Sequence, residues 1–404
     1  MRILFLNQYF HPDASATSQL LTELCEDLAE QHDVWVVTGR PSYNAAEESP
    51  SRGLVSRENH GGVHVARVWS TSMDRASMLG RLANYLSYLA TSVLGVLSVP
   101  KPDVIVSLTD PPPIGLIGAA AAKLQRAPFV LVTKDIVPEA VVNAGKLSNP
   151  AAIRVLSATS NLLYRAADRV VSIGRDMNRR LEELGVDPSK IVTINDWSDG
   201  SLVRPLNGSS PFRKENAWTD QFVVMHSGNL GFGQSLNVII EAADLLRDHE
   251  DIVIAFVGEG ASKRELQAAS DRRGLVNVVF LPFQPKERLA ESLGAADVHL
   301  VTHKRGMAGY QVPSKLYGIL AAGKPVIAAV EPESEPAMII EEHSCGVRVD
   351  PDDAKELAAA ILEMRGQRLV ELGARSRKAF EAAYERTGQT AAYRKLLEEV
   401  ASGS

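Results

Sequence analysis

The chain has 404 residues, 45% hydrophobic and 23% charged, which is an ordinary globular composition but more chain than one core organises, since single cores stop growing at roughly 250–300 residues. A formal net charge of -6 argues against a nucleic-acid partner, because binding a phosphate backbone needs a basic surface. Its only two cysteines, Cys25 and Cys345, exclude a cysteine-built zinc site and fit a reducing, cytoplasmic setting.

In chain order, residues 3–6 form a short apolar run that ends at Asn7 with no small-residue cleavage pattern behind it. This reads as a first buried strand, not a signal peptide. Leu20, Leu21, Leu24 and Leu28 recur at helical spacing across 18–30, and Val34-Trp35-Val36-Val37-Thr38 is strand-like again. Strand patterns follow at 63–68, 104–108, 129–133 and 169–173, with helical stretches between them. The polar stretch 195–220, with Gly200, Pro205, Gly208 and Pro211, reads as a linker. Strand patterns then restart at 222–228, 252–257, 278–281, 298–301, 325–329 and 346–349, and 375–400 has long helical patterning. The alternation predicts an α/β protein of two doubly wound, Rossmann-like domains, 1–198 and 199–377, each with a parallel sheet covered on both faces. Two such domains facing a central cleft would place the loops after their strands around one ligand site.

Those loops carry the candidate chemistry. In the first half they hold Ser15 and Ala16 (within 9–17), Thr109 and Asp110 (within 107–113), and Asp135 and Glu139 (within 134–139). Asp135, directly at a strand end, is the carboxylate best placed to meet a sugar hydroxyl or a developing positive charge; Glu139 could instead cap the next helix. In the second half, Ser227-Gly228-Asn229-Leu230-Gly231, followed by Gln234, lies between a strand and a helix over 236–246, where backbone amides can approach a diphosphate. A tight turn that binds nothing reads equally well from this loop alone. Gly258-Glu259 and Pro282-Phe283 end the next two strands. In Tyr310-Gln311-Val312-Pro313-Ser314-Lys315-Leu316, Ser314 reads as a helix N-cap, and Lys315 sits in a first turn that already carries partial positive charge. A bound anion would resolve that conflict, so Lys315 is the predicted diphosphate contact.

Two patterns that could suggest a metal are better read otherwise. Asp350-Pro351-Asp352-Asp353 precedes a helix it can cap, and His299 and His303 straddle a strand end without helical context. Neither a metal nor another cofactor is expected. The run 78–97 approaches the length of a membrane span but is interrupted by Arg81 and Asn84. It reads either as a packing helix or, with Arg75 and Arg81 flanking leucines and aromatics, as a weak membrane-surface contact.

Taken together, Tyr9-Phe10-His11-Pro12-Asp13, the loop 107–113, Asp135-Ile136-Val137-Pro138-Glu139, Ile194-Asn195-Asp196-Trp197, Ser227-Gly228-Asn229-Leu230-Gly231, Val257-Gly258-Glu259-Gly260 and Pro313-Ser314-Lys315-Leu316 make the chain resemble the retaining glycosyltransferases of family 4. Within that family it is similar to the bacterial branch that builds O-antigen, capsule and exopolysaccharide. The resemblance covers nearly the whole chain. It implies the GT-B fold, no metal, and transfer with retention from a nucleotide diphosphate sugar, a UDP-N-acetylhexosamine or deoxy derivative being favoured, to a glycan or lipid-linked acceptor. It also implies a C-terminal helix of about 378–404 that completes the first domain; the membrane-surface reading of 78–97 would place the protein peripherally on the inner membrane face. The departures are specific. The family's two glutamates fall on Tyr310 and Gly318, its phosphate-loop arginine and lysine on Asn229 and Gln234, and its paired glycines on Ser15 and Ala16. A UDP-hexosamine epimerase and a non-catalytic nucleotide-sugar-binding partner are the alternatives these departures leave open.

Overall fold

A computed structural model of the chain describes residues 1–13, 15–41, 53–71, 73, 78–206, 208 and 210–403, without the side chains of 78, 79, 81, 82 and 232. Two compact units emerge. The first is Met1–Glu139, Leu147–Asn195 and Thr390–Ser404; the second is Ala140–Lys146 and Asp196–Gln389.

The first unit is built on β1 (Arg2–Leu6), β2 (Asp33–Thr38), β3 (Val55–His60), β4 (Val63–Val68), β5 (Val104–Leu108), β6 (Phe129–Val132), β7 (Arg169–Ser172) and β8 (Ile191–Thr193), ordered β3-β4-β2-β1-β5-β6-β7-β8. Every pair is parallel except β3 with β4. β1, β5 and β6 are buried at nearly every residue, as parallel strands covered on both faces must be. β3 and β8 carry no predicted strand pattern. Both are edge strands, β3 reads Val-Ser-Arg-Glu-Asn-His with an exposed middle, and an edge needs no continuous apolar run.

The second unit has β9 (Phe222–Ser227), β10 (Ile252–Val257), β11 (Val278–Leu281), β12 (Val298–Thr302), β13 (Val326–Ala329) and β14 (Gly346–Val349), all parallel, ordered β11-β10-β9-β12-β13-β14. The chain runs outward from β9 through β10 to β11, then returns to lay β12 against the other side of β9. The β9/β12 junction is therefore the switch point of this sheet, where open α/β sheets bind ligands at their carboxyl ends. One face is packed by the helix Asn237–Leu245 and the helix Ala354–Arg365, which bury Ile239, Leu357 and Ile361 among Val224, Phe256 and Leu300. Asp353 accepts hydrogen bonds from the amides of Lys355 and Glu356 at 3.0 and 2.9 Å, the capping role its sequence position implies.

The helical pattern at 375–400 is two helices, Leu369–Ala383 and Arg386–Ser402. The break falls at Tyr384, which is 5% exposed, sets its ring tilted against that of Tyr317 with centroids 5.0 Å apart and accepts the Ser198 amide on its carbonyl. The first of these helices belongs to the second unit. From Thr390 the chain belongs to the first, where Tyr393, Leu396 and Leu397 are buried.

The helix Met78–Leu97 buries Tyr88, Ser92 and Val96 and leaves Leu86, Val93, Leu94 and Leu97 exposed. Among the described residues no helix is long and apolar enough to cross a membrane. Arg75 and the side chain of Arg81, on which the expected lipid contact rests, lie outside the described residues.

Candidate functional site

The most chemically distinctive cluster lies at the β9/β12 switch point. His226 is the penultimate residue of β9, fully buried. Lys315 opens the short helix Lys315–Ala321 and turns its Nζ back over the β9 end, 2.7 Å from His226 Nε2 and 2.9 Å from Gln234 Oε1. Gln234 is held in turn, since its carbonyl accepts from Thr302 Oγ1 at 2.5 Å while the neighbouring Gly233 carbonyl accepts the Lys304 amide at 2.9 Å. Among the described residues no carboxylate pairs with Lys315. Burial lowers its pKa from 10.5 to about 7, the direction desolvation imposes on a cation. His299 and His303 are also buried. Desolvation first, with nearby lysine charge behind it, brings each to about 4, and burial followed by Lys315 holds His226 well below the usual histidine range. The site is thus one ammonium in a nest of neutral groups.

The glycines around it have separable roles. Gly228 (φ +121°) presents its bare face to Lys315, for a Cβ there would lie 3.6 Å from Cε and 3.8 Å from Nζ. Gly258 and Gly260 are required by backbone crossing instead, because a Cβ would come within 1.9 Å of the Gly228 carbonyl oxygen and 2.4 Å of that of Leu230. This close approach corrects one expectation. The amides of Gly228 and Leu230, expected to face a diphosphate, donate to the carbonyls of Val257 and Glu259 at 2.9 and 2.8 Å, which leaves those of Asn229 and Gly231 as the loop's candidates.

Two further expectations are corrected. Leu230 and Leu316 are fully buried core residues and offer a ligand no surface. Ser314 stands at the helix N-cap position but has helical dihedrals (φ −58°, ψ −22°), and its hydroxyl makes no capping bond. Ser227 ends β9, and Tyr310 and Pro313 lie in the segment before the helix Lys315–Ala321, with Tyr310 and Ser227 half-buried and Pro313 buried. Glu259 pairs with Lys263 at 2.6 Å. Past β11, Pro282 gives its carbonyl to Gln284 while Phe283 is 44% exposed, an apolar ring offered at a strand end. Gly318, on a family glutamate position, is not demanded by packing, since a Cβ would meet only Leu293 at an ordinary 3.5 Å.

Three contributors escaped sequence reasoning. His226 and His303 looked like residues of apolar strand ends, and only their approach to Lys315 distinguishes them. Glu331, just beyond β13, accepts the amides of Gly306 and Ala308 at 3.0 and 3.1 Å and so fixes the loop leading to Tyr310; nothing in its sequence surroundings marks it.

In the first unit the expected residues gather at the carboxyl end of the sheet. Thr109 Oγ1 accepts the Lys134 amide at 3.1 Å and the Asp110 carbonyl accepts the Gln8 amide at 3.0 Å, tying the loops after β1, β5 and β6 together. Ser15 is the N-cap of the helix Ala16–Ala29, its hydroxyl taking the Ser18 amide at 3.2 Å, so Ser15 and Ala16 serve the helix start. Asp135 is half-buried just past β6. Glu139 keeps one buried carboxylate oxygen with no hydrogen-bond partner among the described residues, and its charge, after burial, raises the pKa of the Tyr164 phenol. An unpaired buried carboxylate oxygen is costly, which makes Glu139 a stronger candidate than a helix cap.

Comparison with known proteins fits this geometry. Residues 16–197 match the glycosyl transferase 4-like domain and residues 209–383 the glycosyl transferases group 1 domain. WcaI of Escherichia coli, named as a colanic acid biosynthesis glycosyl transferase, is 30% identical over 380 residues, spanning 89% of this chain and 91% of its own. WbjE of Pseudomonas aeruginosa, named as a glycosyltransferase, is 32% identical over 284 residues, 70% of this chain and 71% of its own. The structure of Anabaena Alr3699/HepE in complex with UDP superposes with a TM-score of 0.74 at 19% identity over 99% of this chain and 100% of that one, a likeness that shows the GT-B fold.

Proposed function

We propose that this chain, which belongs to the glycosyltransferase family defined by the 4-like and group 1 domains, moves one sugar with retention from a UDP-type donor to a glycan or lipid-linked acceptor in bacterial surface polysaccharide synthesis. The observation that carries the reading is the Lys315 ammonium, held by two neutral acceptors and paired with no described carboxylate. Such a cation is matched by an anion from outside the chain, and a diphosphate is the anion this family handles. The loops after β11, β10, β9 and β12 stand in that spatial order and the Lys315 ammonium lies over the β9 end, so Phe283 and that ammonium are separated by two strand spacings, about 10 Å at ~4.8 Å each. That span suits a nucleoside diphosphate, with its base on Phe283 and its phosphates at Lys315. The names of WcaI and the UDP bound to HepE support the pathway class and the base.

In the proposed reaction the bond from the anomeric carbon to the diphosphate oxygen breaks and its electron pair stays on that oxygen. Lys315 and the amides of Asn229 and Gly231 stabilise the charge. The acceptor hydroxyl bonds to the anomeric carbon on the face the diphosphate left, and its proton passes to the departing diphosphate. Preorganised donors at developing charge are worth roughly 3–4 kcal/mol each. Asp135 and Glu139 are the carboxylates of the acceptor side, and no metal takes part. The exposed leucines of the helix Met78–Leu97 provide weak attachment to the inner membrane surface.

The test is a thermal-shift screen against UDP-, GDP-, ADP- and TDP-sugars, followed by transfer to lipid-linked acceptors with the product's anomeric configuration read by NMR. A retained linkage from the stabilising donor is expected. Quantitative epimerisation of UDP-N-acetylglucosamine without acceptor, or tight donor binding with no transfer across a broad acceptor panel, would overturn it.

A further inference from the structure

His226 has no part in the reaction just described, yet Lys315 is built against it. An ammonium only donates, so the 2.7 Å contact requires His226 Nε2 to accept, and the imidazole must be neutral with its proton on Nδ1. Gln234, whose backbone carbonyl Thr302 pins, accepts a second N–H of Lys315 on Oε1. With two directions of a tetrahedral ammonium fixed, the third is fixed as well.

We propose that His226 is a positioning residue that, as a buried neutral acceptor, aims the remaining N–H of Lys315 at the donor's diphosphate; this rests on the reading that Lys315 meets that diphosphate. The titratable groups that face His226 are Lys315 from the helix Lys315–Ala321 and His299 from β12, while the Phe256 ring of β10 packs beside it at 6.0 Å. His303, past β12, is close enough to Lys315 for that charge to lower its pKa as well. Burial keeps all three histidines neutral near pH 7. Protonation of His226 converts its acceptor into a donor directed at an ammonium, and Lys315 then loses its aim.

The experiment measures Kd by calorimetry at neutral pH for UDP-glucose and GDP-mannose, with uridine and guanosine as phosphate-free controls. His226→Leu, which removes the acceptor, should weaken the bound sugar nucleotide about tenfold at neutral pH, the scale of a hydrogen bond to a charged group. His226→Gln places an amide oxygen at the reach of Nε2 and so keeps an acceptor there, which should restore neutral-pH affinity. Nucleoside binding should not change in either variant. Wild-type affinity in His226→Leu, or a His226→Gln variant as weak as His226→Leu, would overturn the proposal; if His226→Leu does not fold, loss of affinity in His226→Gln overturns it. Lys315→Met separates the two levels. If it binds the sugar nucleotide as wild type does, the diphosphate reading itself fails, whereas affinity lost in Lys315→Met but kept in both His226 variants removes only the positioning role.

Discussion

Lys315→Met tests whether the cation at the β9/β12 switch is kept for a ligand at the expense of the unliganded fold. The drop from 10.5 to about 7, at about 1.36 kcal/mol per tenfold change, sets a ceiling near ~5 kcal/mol on the cost of burying the ammonium. The side chain is only part-buried, so solvent reduces that to about 2 kcal/mol. The sign of the pH dependence follows directly. Between about pH 7 and 10.5 the unfolded chain holds a proton on this lysine that the folded chain has released, so folded stability rises with pH across the window. Methionine fills a similar volume and does not titrate. Urea unfolding of both proteins without ligand, at about pH 7 and about pH 9, should therefore show wild type gaining on Lys315→Met by roughly 1–2 kcal/mol. At neutral pH the variant should also lose the melting shift that UDP-glucose gives wild type. A stability difference between the two that does not change with pH would refute the buried-cation argument, whatever the activity assay returned.

Gly258→Ala puts a methyl 1.9 Å from the Gly228 carbonyl at φ +155°; this should cost at least about 3 kcal/mol and collapse donor binding, as read by circular dichroism melting and calorimetry. Gly318→Ala is the contrast. Its Cβ meets only Leu293 at 3.5 Å within a helix, so melting should show stabilisation of about 0.5–1 kcal/mol. Phe283→Ala should leave stability unchanged, because the ring is 44% exposed, but weaken UDP about tenfold, in line with ~1–3 kcal/mol for base stacking, while inorganic pyrophosphate competes as before. Removing residues 390–404 uncovers the partners of Tyr393, Leu396 and Leu397 and should lower the melting temperature of the first unit by several degrees, as followed by proteolysis of that unit.

What the sequence determined by itself is what depends on local pattern. Continuous apolar runs such as 252–257 and 129–132 give strands at those residues, since parallel strands buried on both faces are predominantly apolar. Their alternation with helical stretches gave two doubly wound units, and the strand-end positions of Lys315, Gln234, Gly258 and Phe283 followed from it. Sequence also misjudged particular residues for a common reason. Leu230 and Leu316 looked like loop neighbours of a ligand, and Gly228 offered an amide that the loop after β10 consumes. Burial and hydrogen-bond ownership are properties of neighbours, and neighbours come from elsewhere in the chain. The site itself was decided by tertiary structure: the fold lays β12 beside β9 rather than β11. That pairing alone brings His226, Gln234, Thr302 and Lys315, spread over ninety residues of chain, within hydrogen-bond reach of one another. Local periodicity carries no information about strand order, because it is fixed by which distant faces bury each other, and so an ordinary-looking lysine becomes a caged cation only when the sheet is assembled.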